Sequence, residues 1–445
     1  MKKTYYYILA YFTVFSIVFV FLIPPFEAND EPNHLEYINF VVKNSSLPNQ
    51  LSEKEKVNIE GHQFPLYYVI SASMVKLIWG NSPVNFSLVY NKKHFSAGGP
   101  ESLVPVFNHV NNNPFSDNES RTKFYFLRLI STLFGVVNLF FIYKIAKLFF
   151  ADYKIAYLCL FFTASIPQVI YSSSTITNDS LSNLLASAAI YLFLVFLKDS
   201  SVKKIVVFSL VFSLCLLCKK TLFFLIPSVI ISTAYAFHIG KITKEIFIKL
   251  SASLFIFTVL VAGWFYFRNH YLYNDTLLTD VEKITVPMHY DPKSIFSFYF
   301  IYPFVPGLFG SFFGVFGWMN LAVPFFIYVF YFILSAAGVI GISKKFLLTK
   351  ITPVKLFIIC SLIICLAGIV YYNLSYSQHQ GRFLFPVLSL ISVCIIGGLS
   401  NFFHLFKKSI LSRKILHAIY VILIIINLIS VYVIYRFYYI QNNYL

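Results

Sequence analysis

Long apolar runs alternate with short polar connections along almost the whole chain. Runs long enough to cross a bilayer fall at 4–23, 124–147, 155–176, 180–198, 203–218, 221–238, 248–267, 320–342, 355–375, 383–402 and 414–438. A helix needs about twenty apolar residues to match the hydrocarbon thickness, so the pattern predicts about eleven transmembrane helices in an all-α polytopic bundle. Other segments are apolar but too short or too interrupted to span. Glu31 to Lys43 reads as a short helix with Leu35, Ile38 and Val42 on one face and Pro32 in its first turn. Pro65 to Trp79, broken by Ser71, Ser73 and Lys76, reads as a helix lying in the membrane interface. The aromatic and glycine-rich run Ile295 to Asn320 is either interfacial or re-entrant.

The polar connections carry an orientation. Lys2 and Lys3 precede the first run, and no small-x-small cleavage site follows it before Pro24, Pro25 and Phe26. This predicts an uncleaved first helix with a cytoplasmic N-terminus. Every second loop is then cytoplasmic, and these loops hold Lys144, Lys147 and Lys154, then Lys198, Lys203 and Lys204, then Lys241, Lys244 and Lys249. Lys344, Lys345, Lys350 and Lys355 follow, and then Lys407, Lys408, Arg413 and Lys414. Lys and Arg accumulate on the cytoplasmic side, so helix count and orientation agree. The topology places residues 24–123 outside as a long extracytoplasmic loop, with a second outer segment at 269–319, in one domain spanning 1–445. A second apolar crossing at 65–79 would turn the basic loops outward.

Composition fits lipid as the solvent: of 445 residues, 58% are hydrophobic and 12% charged, where soluble domains carry about a quarter charged. The net charge of +17 is accounted for by the basic loops beside anionic lipid, and no nucleic-acid motif accompanies it. The six cysteines all lie in apolar runs, including the Cys215 and Cys218 pair, and read as small buried hydrophobes. No inverted repeat of the kind common in transporters is visible.

Candidate chemistry gathers on the outer side. Asn29-Asp30-Glu31-Pro32-Asn33-His34 puts two adjacent carboxylates and an imidazole one turn later just outside the first helix, where Asp30 suits a general base. The same string suits an ordinary helix N-cap at Asp30. Asn178 and Asp179, Lys219 and Lys220, Arg268 and Asn269, and His379, Gln380 and Arg382 all fall at outer helix ends. Polar groups collected on one side of an apolar bundle are the default functional-site hypothesis. Carboxylates beside a reacting hydroxyl, with Lys and Arg beside a leaving phosphate, are the parts needed to cleave a sugar–phosphate bond. For Lys219 and Lys220 the competing reading is snorkelling into headgroups. His62 and Gln63 precede Pro65 and either approach the outer pocket or lie in a solvated loop.

Several strings occur in order over nearly the whole chain and resemble the bacterial domain-of-unknown-function 2142 family. They are Pro24 to His34, Thr177 to Ser180, Lys219 to Thr221, Trp264 to Asn269 with Tyr273 to Asp275 behind it, Ser311 to Trp318, and Gln380 to Pro386. That family resembles, more distantly, the GT-C superfamily of protein O-mannosyltransferases, lipid A aminoarabinose transferases and oligosaccharyltransferases. The resemblance implies a GT-C-like fold and transfer of a sugar from a polyprenyl-phosphate donor to a hydroxyl acceptor, with inversion. It puts the catalytic first-loop acids at Asp30 and Glu31, the second outer acid at Asp179 and lipid-phosphate contacts at Lys220 and Arg382. His34, His62, Asn178, Lys219, Arg268, Asn269, His379 and Gln380 complete the expected substrate site. Asp30, Glu31 and Asp179 would hold a divalent cation, Mg or Mn, were one used. The chain departs from the pattern at Gln63-Phe64-Pro65 and at Tyr273-Asn274-Asp275. The expected setting is the cell membrane, multi-pass, with the active site extracytoplasmic, membrane lipids as partners and no nucleic acid. The competing functions are a transporter or flippase for lipid-linked glycans and a non-catalytic assembly subunit.

Overall fold

The computed structural model describes residues 2–52, 54–96, 104–109, 112–287, 290–405, 409–442 and 444. Lys407 and Lys408 of the last basic loop lie outside the described residues. Among the described residues, nine helices are long and apolar enough to cross a membrane. They account for nine of the predicted runs. The other two are a helix broken in the middle and one of 15 residues.

The chain opens with α1 (Lys2–Leu22), then α2 (Glu31–Asn44), a 3-10 turn over Glu60–His62 and α3 (Leu66–Trp79). At 14 residues α3 is roughly 21 Å long, too short to span, as its polar interruptions predict. The short α4 (Lys92–Ser96) precedes α5 (Asn118–Phe149), which is capped by the Asp117 carboxylate accepting from Ser120 N at 2.6 Å. The intervening loop is pinned by buried Glu27, whose carboxylate accepts from Val106 N, Phe107 N and His109 Nε2 at 3.2, 2.9 and 2.9 Å.

The predicted run 155–176 becomes α6 (Tyr153–Ala164) and α7 (Pro167–Ser172). Proline cannot donate to the helical ladder and forces its predecessor out of the helical region, and Ile166 is extended. After α7 the backbone stays non-helical to Asn178, then enters α8 (Asp179–Lys198). Next come α9 (Val202–Leu216), a 3-10 turn over Lys220–Phe224 and α10 (Leu225–His238). α11 (Lys244–Phe257) continues through a π turn into α12 (Trp264–Tyr273).

The segment 269–319 is not a single loop. It carries α13 (Thr279–Thr285), α14 (Phe304–Phe313) and the start of a two-stranded hairpin, in which β1 (Val315–Phe316) pairs antiparallel with β2 (Leu321–Ala322). Four helices complete the bundle: α15 (Phe325–Leu348), α16 (Pro353–Asn373), α17 (Leu388–Leu405) and α18 (Ser409–Tyr435), with a 3-10 turn over Gly381–Val387 leading into α17. α15 and α17 pack with their backbones almost in contact, because a Cβ on Gly398 would sit 1.8 Å from Gly338 O. Close approach through small residues is how helices associate where lipid removes the hydrophobic drive. All six cysteines are free, and Cys159, Cys215, Cys218 and Cys365 are buried.

Candidate active site

The site begins where the chain leaves α1. Phe26 and Asp30 take left-handed backbone conformations, with φ of 70° and 63°, a strained choice for residues with a Cβ and one that clusters at functional positions. Asp30 precedes α2 yet makes no side-chain cap, whereas Asp117, Asp152, Thr243 and Thr352 each cap their helices. The capping reading therefore fails at Asp30. Its carboxylate instead accepts from Arg382 Nη2 at 2.7 Å.

Arg382 reaches Asp30 from a turn 352 residues away. It is held by Gln380 Oε1, 2.5 Å from Nε, and its Nη1 lies 3.3 Å from Asp179 Oδ2. Asp179 is also paired with Lys219, whose Nζ donates to Asn178 Oδ1 at 2.8 Å. Two acids and two cations from four separate segments thus alternate at one place. Gly381 sets the approach of this turn: a Cβ there would lie 2.2 Å from Phe312 N and 2.4 Å from Leu308 O.

The network opens into a cavity of about 2010 Å³ lined by Asp30, His34, Asn178, Lys219, His379 and Arg382, among others. On its far side Lys220 Nζ donates to Glu282 Oε2 at 2.7 Å and to Leu278 O at 3.1 Å, while Tyr372 Oη donates to Glu282 Oε1 at 2.9 Å. Burial would raise the Glu282 carboxyl, but Lys220 and then His62 outweigh it and hold it below the ordinary value. From this polar chamber the cavity runs between α14, α15 and α16 along Phe309, Phe325, Val329, Phe332, Ile364 and Gly368. Phe325 and Phe332 are exposed, so the apolar branch opens sideways at the surface of the bundle. A charged head chamber joined to an apolar lateral groove suits an amphiphile with an anionic head.

Two histidines stay neutral. His34, with Nδ1 2.8 Å from Tyr68 Oη, is pushed down to about 3 by burial, with Lys219 and Arg382 adding to the effect against Asp30. Burial likewise lowers His62 to about 4. His379 lines the cavity beside Tyr299 Oη, 3.4 Å from Nδ1, and burial lowers it too. Neutral imidazoles offer hydrogen bonds without adding charge beside the cations.

Three expected site residues are placed elsewhere. Glu31 does not line the cavity: fully buried, it accepts from Arg128 Nε and Nη2 at 2.8 and 2.6 Å and from Phe26 N and Ile176 N at 3.0 Å each. Arg128 also donates to Val20 O, Ile23 O and Pro24 O. Glu31 and Arg128 together tie the end of α1 to α5 and to the break after α7. Arg268 donates to Leu47 O and Pro48 O, and Asn269 Nδ2 to Thr276 O, so both brace loops rather than face the chamber.

The expected cation set is not assembled either. Asp30 and Asp179 are already neutralised by Arg382 and Lys219, and Glu31 is committed to Arg128. Among the described residues no group of three His, Cys, Asp or Glu could hold a metal. A hard divalent cation wants several oxygen ligands converging without competing cations, so these residues do not fit one.

Sequence reasoning missed Glu60, Glu282 and Tyr372, all of which line the cavity. The available signal was scarcity: with 18 Asp and Glu in the chain, each one outside the spans was a candidate, and Glu60 stands two residues before His62.

Comparison with known proteins bears on this arrangement. The sequence profile of the family described as dolichyl-phosphate-mannose-protein mannosyltransferase matches residues 122–266. A search of curated proteins finds no match. Among solved structures, ArnT from Cupriavidus metallidurans, bound to undecaprenyl phosphate, is similar with a TM-score of 0.52 at 12% identity, over 88% of this chain and 60% of its own. The oligosaccharyltransferase of Archaeoglobus fulgidus is similar with a TM-score of 0.55 at 13% identity, over 99% of this chain and 56% of its own. The same oligosaccharyltransferase in complex with an inhibitory peptide and a dolichol-phosphate gives 0.51 at 14% identity, over 99% of this chain and 56% of its own. It has also been solved in complex with Zn and sulfate. The chain thus spans somewhat over half the length of these proteins. At this identity the likeness establishes architecture: the chain shares the all-α polytopic fold of these two proteins.

Proposed function

We propose that the protein is a membrane glycosyltransferase that moves a sugar from a polyprenyl-phosphate donor to a hydroxyl acceptor at the extracytoplasmic face, with inversion. The observation that carries this is the Asp30–Arg382–Asp179–Lys219 network at the head of a cavity whose other branch is an apolar lateral groove. The profile match and the fold likeness to proteins solved with undecaprenyl phosphate and dolichol-phosphate support it. The finer assignment to the domain-of-unknown-function 2142 family belongs to the same proposal. So does the orientation, which places the N-terminus in the cytoplasm and the chamber outside.

In this reading the prenyl tail lies along Phe309, Phe325 and Phe332, and the phosphate enters among Arg382 and Lys219. Its negative charge competes with Asp30 for the Arg382 guanidinium. Once released, Asp30 accepts the proton of the acceptor hydroxyl as that oxygen attacks the anomeric carbon from the side opposite the phosphate. The bond from the anomeric carbon to the phosphate oxygen breaks, and Arg382 and Lys219 stabilise the charge that collects on the leaving phosphate. Lys220, paired with Glu282 in the same cavity, is a further cation that the phosphate can draw on.

The test is transfer from a panel of polyprenyl-phosphate sugars by the protein in lipid nanodiscs. Asp30→Asn should lower transfer by at least about 10²-fold while undecaprenyl phosphate still binds, and transfer at the wild-type rate in that variant sinks the assignment.

A further inference from the structure

Glu60 is an acid of the chamber that the transfer reaction above does not use. It sits in the 3-10 turn between α2 and α3, is 7% exposed and lines the cavity. Its Oε2 is buried without a hydrogen-bond partner among the described residues. The cations around it are already engaged: Lys219 with Asp179, Arg382 with Asp30 and Asp179, and Lys220 with Glu282. A carboxyl oxygen withdrawn from water with no partner is costly, and its place on a residue that lines a cavity implies that a ligand completes it.

We propose that Glu60 is a recognition residue for the donor phosphate: its carboxylic acid, seated between the Arg382–Lys219 network and the Lys220–Glu282 pair, donates a hydrogen bond to a phosphate oxygen. The inference rests on the lipid-phosphate reading given above. A carboxylate at this position would repel the phosphate, whereas the acid offers it a proton to share. The groups facing Glu60 bear on which form is present. Asp30 and Glu282 are like charges from the start of α2 and from α13, Lys219 and Arg382 are opposing cations, and Tyr68 and Tyr372 face it from α3 and α16. His34 and His62 line the same chamber as neutral rings. Burial, then Asp30, push the Glu60 carboxyl up to about 8 against Lys219 and Arg382. An arriving phosphate raises it further, so phosphate binding and retention of this proton are linked.

The experiment measures the affinity of the full-length protein in nanodiscs for undecaprenyl phosphate from about pH 7 to about pH 9.5. Above about pH 8 the wild-type affinity should fall by about tenfold per pH unit, because the free protein has lost a proton that the complex keeps. Glu60→Gln and Glu60→Ala lack the titrating group and should hold their pH 7 affinity through that range, with melting temperatures measured alongside. Equal slopes in all three proteins would overturn the role of Glu60 and leave the phosphate reading standing. No binding by any of them, wild type included, would overturn both.

Discussion

Adjacent acids at the exit of α1 should fail in different ways, and the difference can be worked from the structure. Glu31 is fully buried and accepts four hydrogen bonds, two from Arg128 and two from backbone N–H groups. In Glu31→Gln the charge is lost and an amide NH₂ is turned toward a guanidinium that can only donate, so Arg128 is left buried and uncompensated. Removing one partner of a buried pair costs about 3–5 kcal/mol, a large part of the roughly 5–15 kcal/mol that holds a domain together. Asp30 is 28% exposed in its side chain and caps nothing, and Arg382 keeps Asp179 when it is changed. Asp30→Asn should therefore shift stability by no more than about 1 kcal/mol but lower turnover by about 10²–10⁴-fold, as loss of a general base does. Thermal unfolding in nanodiscs, run beside sugar transfer at a temperature where both variants stay folded, separates the two. If Glu31→Gln unfolds like the wild type yet no longer transfers sugar, the structural role assigned to Glu31 is wrong.

Other substitutions follow the same logic. Arg382→Lys loses the planar fork that reaches Asp30 and Asp179 together, and should weaken undecaprenyl phosphate binding about tenfold or more in a direct binding assay. Gly381→Ala forces a methyl group into the backbone of α14; overpacking of this kind costs about 1–3 kcal/mol and should reduce transfer along with thermal stability, whereas a fully active variant would show that the turn can shift. His34, 3% exposed and pushed down to about 3, is neutral in the folded protein and protonates in the unfolded chain below its ordinary value of 6.5. It therefore removes about 1.4 kcal/mol of stability per pH unit as pH falls from about 6.5 toward about 3, and His34→Gln should flatten that part of the stability curve. Cutting the Lys220–Glu282 pair with Lys220→Met leaves Glu282 buried beside neutral His62 and Tyr372; stability should then drop more steeply than in the wild type as pH rises through the now elevated Glu282 value, because the paired Glu282 of the wild type is held low and makes no such contribution.

How far the sequence reaches is set by the range of the forces involved. The apolar runs alone determined the helices, since a segment of about twenty apolar residues has nowhere to go but lipid and must satisfy its own backbone there. The short α3 was equally local, a matter of length, whereas the run 155–176 was expected unbroken and its break at Pro167, a matter of proline sterics, came with the structure. Sequence also brought Asp30, Asn178, Asp179, Lys219, Lys220, His379, Gln380 and Arg382 into consideration, because each ends or flanks a span. It could not choose among them. Asp30 and Glu31 are neighbours with the same chemistry, yet one meets Arg382 across 352 residues and the other Arg128 across 97. Nothing in the local string separates those fates, since ion pairs form where packing brings side chains together. Arg268 and Asn269 fell out for the same reason, held by loop carbonyls that no periodicity predicts. Glu60 entered only through the tertiary structure, because its distinguishing feature is a missing partner, and a missing partner is a property of three-dimensional surroundings rather than of a residue or its neighbours in the chain.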